Sequence, residues 1–181
     1  MEQYGLLMNN YELINISYTK SDLQNIFTNT DEVLRPCTSD EVLHISKLFK
    51  LKYISRILYF SMCPSHYSTI HIDRNINSTF SLEFALNIPV TNGATVYMNW
   101  FNQLENHSVE YYSAGNLNSA SPCLNKNSAR LIDAVQLNSP MFVKINDWHN
   151  IENRSEDTLE KIISIRFNQM NTIDNIKSLL K

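Results

Sequence analysis

Residues 69–73 read TIHID, which places His71 and Asp73 two positions apart. In an extended chain that spacing sends both side chains to one face. A ring nitrogen and a carboxylate oxygen on one strand face make two-thirds of a metal site. A third donor is on offer in residues 141–153, MFVKINDWHNIEN. Read as one strand, Val143, Ile145, Asp147, His149 and Ile151 share a face, and Lys144, Asn146, Trp148, Asn150 and Glu152 share the other. The first set is mostly apolar, so His149 points toward the core. A histidine among inward apolar residues must be hydrogen-bonded or must bind something. Each residue alone has a plainer reading: His149 as a satisfied core or turn histidine, His71 and Asp73 as a mutually bonded pair. Taken together, two imidazoles and one carboxylate compose the facial triad that holds non-haem Fe(II) with open coordination positions.

The elements that must position these groups follow from periodicity. YISRILYFSM, STIHID, FSLEFALNIPV, ATVYMNWF, RLIDAVQLN, MFVKINDWHNIEN and EKIISIRF are short, alternate with period two, and are rich in β-branched and aromatic residues. Strands that follow one another without intervening helices predict an antiparallel sandwich or barrel. Helices are expected at the two ends. Thr38 and Glu41 form a capping box ahead of Val42, Ile45, Leu48 and Phe49 at helical spacing. Near the C-terminus, Thr172 caps a short helix sharing Ile173, Ile176 and Leu180 on one face. Residues 102–127 are polar, with Gly115, Pro122 and several Asn, and read as a long insertion loop of the kind that serves as a lid or binding element. The division is thus a single domain over 1–181, with a mixed or helical support in about 1–53, a β core in about 54–167 and a C-terminal helix in 168–181.

Composition bounds the function. Of 181 residues, 43% are apolar and 18% charged, the balance of a soluble globule able to bury a core unaided. A net charge of −3 without any Lys/Arg block argues against a nucleic acid partner. No basic n-region precedes an apolar run and no segment is apolar over a membrane-spanning length, so the expectation is a cytoplasmic protein with no membrane partner. Cys37, Cys63 and Cys123 are odd in number and widely spaced, which fits reduced thiols. The sequons at Asn15, Asn77, Asn106 and Asn153 are what chance supplies in an Asn-rich chain. Tyr97 and Trp100 lie on opposite faces of their strand, so at most one lines a site.

The HID of TIHID, the ALNIPV that follows, the WHNIEN segment and the closing SIRF resemble the small Fe(II)/2-oxoglutarate-dependent dioxygenases, closest to their aspartyl/asparaginyl β-hydroxylase and phytanoyl-CoA-hydroxylase-like branches. The likeness spans about residues 54–167 and outside the triad is one of pattern. It implies a mainly β fold, a double-stranded β-helix (a jelly roll, cupin-like) with flanking N- and C-terminal helices. It also implies Fe(II) held by His71, Asp73 and His149 as the catalytic and metal residues, 2-oxoglutarate as co-substrate, O₂, and hydroxylation of an unidentified substrate, a small molecule or a protein side chain.

The resemblance further requires a cation for the distal carboxylate of 2-oxoglutarate. Here the chain departs from the pattern, because the positions where such proteins commonly carry it hold Leu159 and Glu160. Lys161 follows directly and Arg166 lies deeper on the same strand, with Glu160, Ile162, Ser164 and Arg166 on one face and Lys161, Ile163, Ile165 and Phe167 on the other. Arg166 is preferred, because a guanidinium grips a carboxylate through two bonds and Ser164 can share the contact. In this reading Arg166 touches no metal ligand, Lys161 is the second choice, and Asn87 is a further polar contact for the co-substrate. Two rivals remain: a cupin-like metal protein of another reaction class, and a catalytically inactive binding module on the same fold. Oligomeric state is not readable from the sequence.

Overall fold

A computed structural model describes residues 10–16, 18–27, 34–52, 54–73, 84–91, 95–105, 108–113 and 120–167. The described elements run β1 (Tyr11–Leu13), α1 (Lys20–Ile26), β2 (Leu34–Pro36), α2 (Ser39–Phe49), β3 (Ile54–Met62), β4 (Ile70–His71) and β5 (Phe84–Pro89). They continue with β6 (Val96–Gln103), β7 (Glu110–Ser113), β8 (Ala120–Leu124), a 3₁₀ turn (Lys126–Ser128), β9 (Ala129–Gln136), β10 (Met141–Lys144), β11 (His149–Asn153) and β12 (Glu160–Phe167).

Two six-stranded antiparallel sheets result. One has the order β1-β10-β5-β12-β3-β2, the other β7-β8-β4-β11-β6-β9. From β3 to β6 the chain changes sheet at every strand, and it does so again from β9 to β12. That leaves β10-β5-β12-β3 facing β4-β11-β6-β9, the arrangement of a jelly roll. The expected fold class is borne out. The helix anticipated in 168–181 lies outside the described residues.

The first sheet is covered on both faces at its centre, which is why β5 is buried throughout and β12 almost so. On β12, Ile163, Ile165 and Phe167 pack with Leu23 of α1 and Ile45 and Phe49 of α2. Ile162, of opposite parity, packs between the sheets with Met98, Trp100, Val143 and Ile151. The cover is fixed locally. The Thr38 hydroxyl accepts from the Glu41 N–H, and the Glu41 carboxylate accepts from the Thr38 N–H, the capping box read from the sequence. Arg35 on β2 donates to both oxygens of Glu41, at 2.7 and 2.5 Å, and so ties α2 to the sheet edge. Lys50 ends the helix in the left-handed conformation (φ 54°).

Two expectations need correction. Residues 141–153 are not one strand: β10 ends at Lys144, β11 starts at His149, and the two belong to different sheets. The turn between them holds Asn146 and Asp147, and Asp147 pairs back to Lys144 at 2.7 Å. Alternation reads through this break because Val143, Ile145 and Ile151 all face the same interior. The stretch 102–127 is likewise not a bare loop. It contains β7 and β8, which pair with each other and extend the second sheet from β4. Serine and asparagine dilute the strand signal there.

Candidate metal centre

Cross-strand register builds the site. In the second sheet His149 lies opposite His71 on one side and opposite Trp100 on the other. Directly paired residues point to the same face, and the imidazole centroids are 4.6 Å apart at 49°. The Trp100 indole N–H donates to the Lys144 carbonyl at 2.9 Å, pinning this row to the facing sheet. Asp73 lies just past the end of β4, not within a strand. Its backbone N–H donates to the Ile145 carbonyl at 2.9 Å, anchoring it at the crossover between the sheets.

The three side chains converge: one donor atom from each of His71, Asp73 and His149 lies within 4.8 Å of the others. The two histidines are oriented alike. His71 Nδ1 is 2.8 Å from the Thr69 carbonyl and His149 Nδ1 is 2.8 Å from the Asp147 carbonyl, each two residues upstream. A carbonyl only accepts, so each Nδ1 carries the proton, and the neutral ring presents an Nε2 lone pair. His71 Nε2 stands 3.1 Å from Asp73 Oδ1. His149 is buried, at 3% exposure, whereas the His71 and Asp73 side chains keep 28% and 24%. The site is closed behind and open in front.

The predicted polar contacts divide sharply. Arg166, Ser164 and Asn87 form one hydrogen-bonded chain that ends on the triad. The Asn87 Oδ1 accepts from the Ser164 hydroxyl, the Ser164 Oγ accepts from Arg166 Nη1 at 2.5 Å, and Arg166 Nη2 donates to Asp73 Oδ2. Asn87 and Ser164 are also cross-strand partners. Arg166 therefore touches a candidate metal ligand, contrary to the expectation that it would not. A ligand and its cation far apart in sequence carry no mutual signal. Lys161 is on the other face of β12, the face whose Ile163 packs toward the helices. Its backbone N–H is held by the Thr91 hydroxyl at 2.9 Å.

The electrostatics follow from these contacts. Burial opposes the Asp73 charge, but the Arg166 guanidinium and then His71 overcome it and hold the carboxyl far below the usual carboxylate range. Burial also pulls His71 down, yet the Asp73 hydrogen bond and charge win and raise its pKa above the ordinary value. His149 is pushed down to about 4 by burial and by His71. The Asp73 carboxylate is thus held as an anion, and it favours the charged form of His71 while burial disfavours that of His149.

One neighbour escaped the sequence reading. Cys123 on β8 is the register partner of His71, placing a buried thiol next in the row on the same face. It went unseen because β8 did not read as a strand.

No protein-family model matches the chain, and no curated protein is similar to it in sequence. Among solved structures, the chain is similar to the viral collagen prolyl hydroxylase vCPH from Paramecium Bursaria Chlorella virus-1 in its 2OG complex. The identity is 8% and the TM-score 0.46, covering 88% of this chain and 96% of that one. It is similar also to an oxidoreductase of the 2OG-Fe(II) oxygenase family from Burkholderia pseudomallei, at 10% identity and a TM-score of 0.36, covering 74% of this chain and 54% of that one. Overlaps of this size assign neither an activity nor the role of any residue.

Proposed function

We propose that this protein is a non-haem Fe(II)- and 2-oxoglutarate-dependent oxygenase that hydroxylates an unidentified small molecule or protein side chain. The observation that carries the reading is the matched orientation of the two imidazoles. Each gives its Nδ1 proton to the carbonyl two residues upstream, leaving Nε2 as its lone-pair atom, and the ligand atoms of both rings and of Asp73 lie within 4.8 Å of one another. A plain core histidine needs one such bond; two of them, beside a common carboxylate at an open mouth, make a ligand set. Two nitrogens and one oxygen suit iron with open positions better than the all-oxygen shells of Mg²⁺ or Ca²⁺.

His71 and His149 would hold the ion by Nε2 and Asp73 by a carboxylate oxygen. With 2-oxoglutarate and O₂, the iron supplies the oxidant that places an oxygen atom on a substrate C–H bond. The protein supplies position and charge. Arg166 is, among the described residues, a cation that reaches the site, and its guanidinium has five N–H donors, of which Ser164 and Asp73 each take one. Its other donors would be the ones to meet the distal carboxylate of the co-substrate. Lys161, directed away from the triad, is not assigned that role.

Anaerobic titration of Fe(II) and 2-oxoglutarate tests this. A visible charge-transfer band is expected in the wild type and not in His71→Ala or Asp73→Ala, and succinate should form when O₂ is admitted. Metal binding without any such band would overturn the co-substrate assignment and leave a metal protein of another class.

A further inference from the structure

The two oxygens of Asp73 have different surroundings. Oδ1 lies beside His71 Nε2, on the side of the imidazoles, whereas Oδ2 accepts from Arg166 Nη2. Arg166 is itself held. It is 8% exposed, its Nη1 donates to Ser164 Oγ, and the Ser164 hydroxyl is bonded to Asn87, which is 2% exposed. Both Arg166 and Ser164 sit on β12, and Asn87 on β5, the central strands of the first sheet. His71 and His149 belong to the second. This chain of bonds therefore fixes the carboxylate of one sheet's loop against the rigid middle of the other.

We propose that Arg166 is a positioning residue for the metal carboxylate: it occupies Asp73 Oδ2 so that Asp73 meets the ion through Oδ1 alone. This rests on the metal-site reading above and adds to it. A carboxylate with both oxygens free can rotate to embrace an ion with two bonds, which consumes a coordination position. With Oδ2 committed to a guanidinium anchored at its other nitrogen, that rotation breaks a part-buried charge-assisted bond. The position it would consume stays open. Removing the positive charge altogether would also strengthen the ion's attraction to Asp73, an opposite effect, so the informative change keeps the charge and removes the fork.

The probe is Mn(II), bound without 2-oxoglutarate, to the wild type, Arg166→Lys, Ser164→Ala and His71→Ala. Free Mn(II) is read by its paramagnetic resonance signal, and exchangeable water on the bound ion by water-proton relaxation. Arg166→Lys should weaken Mn(II) about 10-fold and lower the relaxation enhancement per bound ion, because a second carboxylate oxygen replaces a water. Ser164→Ala, which frees Nη1, should move both quantities the same way by less. If Arg166→Lys does not fold, Ser164→Ala alone carries the test. Wild-type affinity and relaxation in the folded variants overturn the proposal while leaving the metal site intact. A wild type that binds Mn(II) no better than His71→Ala overturns the metal site itself and the proposal with it.

Discussion

His71 and His149 are the same chemical group with opposite charge preferences, and the cause is which neighbour each ring faces. His71 lies against Asp73 and its pKa is raised, while His149 is buried and sits at about 4. An ion needs both Nε2 lone pairs, so it competes with any proton on His71 Nε2. Mn(II) affinity should therefore fall as pH drops through the raised His71 value, by about tenfold per unit for one displaced proton. Protonation of His149 should add nothing until pH nears 4. Titrations of Mn(II) at stepped pH, with the two imidazoles followed separately by NMR, check both parts. A second residue-scale prediction concerns Asn153. It is fully buried, donates to the Met62, Cys63 and Thr158 carbonyls, and accepts from Thr95 and the Ser155 N–H. Asn153→Ala leaves several buried polar groups unmatched and should cost about 2–4 kcal/mol in denaturant unfolding. The burial also removes Asn153 as a glycan acceptor, in line with reading its sequon as chance. At this scale the convergence of His71, Asp73 and His149 was legible from their ligand chemistry, whereas the parity argument did not hold, since Asp73 lies outside β4 and residues 141–153 are two strands. The Thr69 and Asp147 carbonyls that orient the rings were not legible, since a backbone oxygen has no residue type.

Element boundaries were legible where a local motif marks them. The capping box of α2 is spelled out by Thr38 and Glu41, and the structure has it. The carboxylate of Glu41 does double duty, capping the helix and receiving both bonds from Arg35. The Arg35 bond, working against partial burial, lowers the Glu41 pKa below its ordinary 4.5. A group whose folded pKa is depressed stabilises fully above its unfolded value and loses that contribution as pH falls through the folded one. Unfolding measured from pH 5.5 down to 3.5 should thus show the wild type losing more stability than Glu41→Gln does. Equal slopes would mean that the pair contributes nothing. The crossover between β10 and β11 was not legible, because its alternation continues on both sides of the break. The β7–β8 pair was missed for the opposite reason: its pairing is sound, but β7 is only four residues long and β8, ASPCL, is a weak strand former.

At the scale of the molecule, the fold class followed from strands succeeding one another in sequence. Which strand meets which did not, since the register that brings His71 beside His149 is a long-range fact. Arg166 and Asp73 are 93 residues apart in the chain, and their contact exists only when the two sheets face each other. Among the described residues, no helix is long and apolar enough to cross a membrane. The crossover that anchors Asp73 to Ile145 has an energetic meaning of its own. The donor set comes from the end of β4 and the start of β11, with its cation on β12, so no fragment of the chain owns it. The unfolded chain cannot offer it, and an ion that binds only the native state raises the unfolding free energy with the logarithm of its concentration, by about 2.7 kcal/mol at 100 times Kd. The midpoint of denaturant unfolding should climb with added Mn(II) in the wild type and stay flat in His71→Ala. Binding of an ion there would then be linked to the packing of the two-sheet core, so that any metal the site holds would also tie the sheets together.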